Sequence, residues 1–143
     1  MTTREGAVPE VRLVTGYSRF EEPIGFSRAV VVQPGAGRVI VAGTTGMVLD
    51  GSVEHAADAY GQLLTALRTV DAVLREAGTD LAHVVRTRMY VVGQERCDDA
   101  GRAHAEVFGR IRPAATMVVV AGLIDPAMVV EIEVEAVLPG EPG

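Results

Sequence analysis

PAATMVVVAGLIDPAMVVEIEVEAV, residues 113–137, decides the fold. It reads as two buried strands joined by a turn region at 122–129. The first strand, 115–121, is apolar on both faces: Ala115, Met117, Val119 and Ala121 on one, Thr116, Val118 and Val120 on the other. The second, 130–137, alternates, with Val130, Ile132, Val134 and Ala136 pointing one way and Glu131, Glu133 and Glu135 the other. A doubly apolar strand needs cover on both sides. Three carboxylates on one sheet face need water or cations beside them.

Residues 84–92 repeat the period of two. Val85, Thr87, Met89 and Val91 share one face, Arg86, Arg88 and Tyr90 the other. Placed beside the glutamate row, Arg86 and Arg88 would neutralise it. That pairing reads either as a structural ion-pair network or as a face that holds a small polar ligand, since a guanidinium suits a carboxylate through two parallel hydrogen bonds. Between these strands, a helix from Asp98 or Asp99 to about Gly109 or Arg110 carries an inner stripe of Ala100, Ala103, His104, Val107, Phe108 and Ile111. Either aspartate would cap it, and Arg112-Pro113 ends it.

A longer helix precedes residue 84. Its stripe is Ala56, Tyr60, Leu63, Leu67, Val70, Leu74 and Ala77, with Ser52 as N-cap and Gly78 as stop. Further upstream, 11–14 is a short strand and 15–25 a loop. Strands 28–33 and 38–42 form a hairpin across Pro34-Gly35-Ala36-Gly37, closed by Gly43-Thr44-Thr45-Gly46. Residues 1–10 and 139–143 read as tails around a single domain, 11–138. The order β-β-β-α-β-α-β-β predicts an α+β fold: a mixed six-stranded sheet with two helices on one face. The simplest cover for the other side of strand 115–121 is a second copy of the chain, so an obligate oligomer is expected.

Composition narrows the function. The chain has 143 residues, 48% of them hydrophobic, and a formal net charge of −6 from 13 basic and 19 acidic residues. That balance disfavours nucleic acid as a partner. No run of apolar residues is long enough for a membrane span, and no signal peptide is evident. With one cysteine, Cys97, no intrachain disulfide forms, and a cytoplasmic setting is expected. His55 and His83 are not grouped with other ligands, so no metal site is expected. His104 reads as a packed histidine or as a general acid–base, and its spacing from Glu106 excludes a dyad on one helix face.

The ordered segments PIGFSRAV, VIVAGTTG, REAG, VVRTRMYVV, AHAEVFG and the 113–137 stretch resemble the RidA/YjgF family of small trimeric proteins, over about residues 23–138. The resemblance implies a chorismate-mutase-like fold, a homotrimer, and ligand clefts between subunits. It also implies cofactor-free hydrolysis of reactive enamines and imines to 2-oxo acids. The family's arginine, which grips the substrate carboxylate after a Pro-Ala pair, corresponds to Ala115 here. The family tyrosine corresponds to Phe26, a serine to Ala42, a cysteine to Met117 and an asparagine to Gly101. A last-strand glutamate is retained as Glu131 or Glu133. The ligand-binding candidates are therefore Phe26, Gly43, Thr44, Arg88, Ala115, Thr116 and Met117, with Glu131 and Glu133 as candidate catalytic groups and Arg88 as a substitute cation. The expected function is binding or conversion of a small metabolite without the standard deamination. The alternatives are a non-catalytic binding or regulatory protein and a divergent deaminase using Arg88.

Overall fold

The computed structural model describes residues 2–5 and 8–140. Along them run β1 (Thr2–Glu5), β2 (Val11–Thr15), α1 (Glu21–Ile24), β3 (Ala29–Val32), β4 (Arg38–Thr44), α2 (Ala59–Glu76), β5 (Val84–Val92), α3 (Cys97–Phe108), β6 (Ala114–Val120) and β7 (Val130–Val137). The strands form two hydrogen-bonded sheets, β1-β2-β3 and β4-β7-β5-β6. Only β5 and β6 run parallel; the other pairs are antiparallel. One bridge, Ser27 to Ala114, ties the start of β3 to β6.

The mixed α+β class holds, but the single six-stranded sheet and the hairpin do not. β3 pairs with β2, and β4 pairs with β7. The reason is packing. Val30 and Val32 turn toward Val8, Val11, Leu13, Val85 and Val137, a second apolar cluster. Val41, with Val39 packed beside it, belongs to the main core under the helices. The turn at Gly35, with φ of +83°, separates the two strands rather than folding one onto the other. Part of the expected N-terminal tail is also strand, since Thr2–Glu5 pairs with β2. The expected C-terminal tail lies outside the described residues beyond Gly140.

α2 and α3 cover one face of the β4-β7-β5-β6 sheet. Leu63, Leu67, Val70 and Leu74 of α2 meet Ala100, Ala103 and Phe108 of α3 over Met89, Val91, Val130, Ile132 and Val134. Burying each such side chain contributes roughly 1.5–3 kcal/mol. The N-cap of α2 is Asp58, which accepts from the Gly61 N–H, not Ser52. His55 and Ala57 adopt φ of +57° and +61°, so the chain is still turning there. Gly78, with φ of +96°, ends α2 as its sequence position suggests. Asp98 and Asp99 lie in the first turn of α3 rather than at its cap, Arg96. There they still oppose the positive end of the helix dipole.

β6 is not buried in the single chain. It is the last strand of its sheet, with Val118 43% and Val119 50% exposed, one on each face. No helix among the described residues is long and apolar enough to cross a membrane.

Candidate functional site

Strand register assembles the polar face. On β5 and β7, Arg86 lies opposite Glu135, Arg88 opposite Glu133, and Tyr90 opposite Glu131. The glutamate row and the arginine pair are therefore neighbours, as their shared period suggests. They do not close as simple pairs. Glu135 meets Arg38 at 3.8 Å, and Glu133 accepts a hydrogen bond from the Tyr90 hydroxyl. That bond, with burial and the carboxylate's charge, holds the phenol above its usual pKa.

Glu131, Glu133 and Tyr90 line an open cavity of about 320 Å³, bordered by Gly43, Val120 and Leu123. Gly43 leaves room for the Glu131 carboxylate. A Cβ there would sit 2.5 Å from Glu131 Oε1, so a side chain at residue 43 would displace the carboxylate. The connection leading into β7 is held by Gln62, fully buried on α2. Its amide donates to the His55 and Ala127 carbonyls and accepts from the Val129 N–H, at 3.1, 2.8 and 2.9 Å. These bonds fix the connection that delivers β7 and hence Glu131. A polar residue beside Leu63 at the edge of an apolar stripe is the signal that would have singled it out.

The remaining candidates are dispersed. Thr44 and Gly43 border an open groove of about 870 Å³ with Met47 and Leu49. Arg88 lines a hollow of about 20 Å³ with Arg86, Glu133 and Glu135. Ala115 and Thr116 border a third opening, a cleft of about 420 Å³. In the parallel register Ala115 and Met117 match Thr87 and Met89, on the helix side, whereas Thr116 matches Arg88 on the opposite face. Met117 packs against the core, and Phe26 is buried with its carbonyl accepting from Arg112 Nε at 3.2 Å.

The 15–25 segment folds down onto α3 and does not border the acidic cavity. Glu21 pins it. Its carboxylate is 2% exposed and accepts from the N–H groups of Gly16, Tyr17 and Ser18 at 3.0, 2.8 and 2.7 Å. Burial pushes its pKa up, but those bonds and the Arg112 charge outweigh this and hold it below the usual carboxylate value. Gly25 then passes so close to α3 that a Cβ would lie 2.9 Å from the Gly109 Cα.

His104 is fully buried and doubly bonded, with Nδ1 2.8 Å from the Ile24 carbonyl and Nε2 2.9 Å from Thr87 Oγ1. Glu106 points elsewhere, accepting from the Tyr60 hydroxyl at 2.7 Å. Among the described residues no group of three or more His, Cys, Asp or Glu is arranged to hold a metal ion. The chemistry of the 320 Å³ cavity is that of acceptors: two carboxylates, one anchored phenol donor and apolar walls. Such a set binds hydrogen-bond donors and can orient or deprotonate a water, with the Arg88 guanidinium beside Tyr90 on the same face.

Residues 18–138 match the family described as Endoribonuclease L-PSP. An uncharacterized protein of Streptomyces coelicolor is 40% identical over 126 residues, 88% of this chain and 91% of its own length. Among solved structures, a Rid-family protein of unknown function from Yersinia pestis is similar with a TM-score of 0.78 and 29% identity, covering 90% of this chain and 99% of that one. A YjgF-family member from Mycobacterium tuberculosis is 42% identical with a TM-score of 0.63, again over 90% and 99% of the two chains.

Proposed function

This chain belongs to the Endoribonuclease L-PSP family, which includes the RidA/YjgF proteins, and from that premise we propose that it is a homotrimer that binds and converts a small organic metabolite by a reaction other than the family's enamine/imine deamination. The observation that carries the reading is a contrast within one sheet. An ordered acidic cavity is kept at Glu131, Glu133, Tyr90 and Gly43, while the position of the carboxylate-gripping arginine holds Ala115. Removing a guanidinium removes charge-assisted hydrogen bonds of about 1.5–3 kcal/mol. Arg88, opposite Glu133 on the face that carries Tyr90, is the cation that a divergent deaminase would use in its place.

In this reading Glu131 positions or activates a water, and Glu133, held by Tyr90, accepts from the substrate. No cofactor is required. The exposed Val118 and Val119 on opposite faces of β6 support assembly with further copies. RNA is not the proposed substrate despite the family's descriptive name. A chain of net charge −6 whose cavity is walled by carboxylates repels a phosphate backbone.

The test is an unbiased metabolite-binding screen on the purified protein, repeated with Glu131→Gln and Glu133→Gln. A ligand whose binding or turnover is lost in either variant supports the reading. If a ligand binds the native chain and no conversion of it is detected, the protein is a non-catalytic binding member of the family.

A further inference from the structure

The 420 Å³ cleft borders Ala115 but has a chemistry opposite to that of the acidic cavity. It opens between the two sheets, where β3 leaves β6. Arg28, Arg38 and Arg86 line it, from the bend before β3, the start of β4 and the middle of the sheet. Glu135 is the carboxylate among its lining residues, and it is engaged by Arg38 at 3.8 Å. Three guanidiniums against one carboxylate leave a local excess of two positive charges, in a chain whose overall balance is −6.

Ser27 supplies a second, independent observation. Its bridge to Ala114 sets it in one row across the sheet with Arg86 and Glu135. Ser27 is 1% exposed and lines the cleft, yet its Oγ is buried with no hydrogen-bond partner among the described residues. An unpaired buried hydroxyl is costly and rare in folded proteins. Turned toward the cleft that its residue lines, the hydroxyl would meet a ligand oxygen there. Thr116 brings a second hydroxyl to the same wall.

We infer that this cleft binds the phosphate group of a small phosphate monoester. A monoester carries about −1.5 to −2 charges at neutral pH and three acceptor oxygens. That matches the two-charge excess and a donor set spread over several strands. A monocarboxylate brings one charge and two oxygens, which one guanidinium fork can engage, and so leaves the second positive charge unmatched. Arg28 is steadied for this role, since its guanidinium carbon lies 5.7 Å from the centre of the Phe26 ring. Three guanidiniums gathered at one cleft are not the extended basic track a polynucleotide needs. It does not rest on the acidic cavity, with which it shares no lining residue.

The test is calorimetric titration of the full chain with glycerol 3-phosphate, inorganic phosphate, succinate and acetate. Saturable binding of glycerol 3-phosphate is expected, weakened about tenfold or more in Arg86→Gln and in Arg28→Gln. Ser27→Ala is expected to weaken it about threefold to tenfold. Arg110→Gln, which removes an exposed charge elsewhere, is expected to leave it unchanged. Inorganic phosphate binding as tightly as the ester would still support a phosphate site and identify free phosphate as its ligand. The inference is overturned if neither phosphate compound binds, if succinate or acetate binds as tightly, or if Arg86→Gln retains full affinity. It is also overturned if Arg86→Gln instead changes the oligomeric mass, because the cleft would then be closed by another copy of the chain.

Discussion

Acidification from pH 7 to about 4.5 loads a stress onto one buried side chain, His104. The imidazole sits between α3, β5 and the end of α1, with its ring centre 4.8 Å from that of Phe108. Its two bonds suit the neutral ring: Nδ1–H donates to the Ile24 carbonyl, and Nε2 accepts from Thr87. Burial pushes its pKa down from 6.5 to about 4, with the Ile24 bond opposing this in part. The unfolded chain therefore takes up the proton first. Stability is fully present above the unfolded value, falls as the pH drops below 6.5, and reaches its full loss below about 4. One pH unit in that window corresponds to about 1.4 kcal/mol, so reaching pH 4.5 costs about 2–3 kcal/mol through this residue alone. Glu10, Glu21 and Asp80, whose carboxyls are held below their usual values, take effect lower still. Urea unfolding at half-unit pH steps, on the native chain and on His104→Gln, isolates the contribution. The variant is expected to be less stable at pH 7 by about 1–3 kcal/mol through lost hydrogen bonds, with a flatter profile between pH 6.5 and 4.5. Parallel profiles, or a ring titration near 6.5 in the folded protein, would refute the reasoning.

Three further changes probe the supports of the site. Gln62→Ala leaves the Ala127 carbonyl and the Val129 N–H without partners, and is expected to cost about 2–4 kcal/mol in chemical unfolding while loosening amide protection at 127–131; unchanged protection would show that Gln62 does not hold this connection. Gly43→Ala drives the end of the flexible Glu131 side chain aside rather than the backbone. Stability should therefore shift by less than about 1 kcal/mol while ligand binding falls, and a variant that binds normally would remove Glu131 from the site. Glu21→Gln is expected to lose about 1.5–3 kcal/mol by weakening three charge-assisted bonds, and an unaltered urea midpoint would contradict the role given to that carboxylate.

What could be read in advance followed from local periodicity. Strands 84–92 and 130–137 were legible to the residue because charged and apolar side chains alternate along them, and that alternation fixes both extent and facing. Pairing partners were not, because nothing local distinguishes a 28–33/38–42 hairpin from two strands in separate sheets. The choice is made by distant residues such as Leu13, Val85 and Val137. The start of α2 was misplaced for a related reason. Ser52 and Asp58 are both competent caps, and the positive φ at His55 and Ala57 has no plain signal in the residue types. At the site, Glu131, Glu133 and Gly43 were identified and do come together. Tyr90 was seen only as a face-mate of the arginines, since its bond to Glu133 depends on register. Arg86 was read only as a partner of the glutamate row, and Ser27 carried no signal, because the gap between the sheets that joins them beside Ala115 is a tertiary feature.

The central claim is that an ordered acidic cavity without an arginine at residue 115 serves a reaction other than imine deamination. Hydrolysis of 2-iminopropanoate by the purified protein, followed by release of ammonia and 2-oxo acid, tests it most directly. The account predicts no release above the uncatalysed rate; turnover comparable to that of an arginine-containing relative would contradict it.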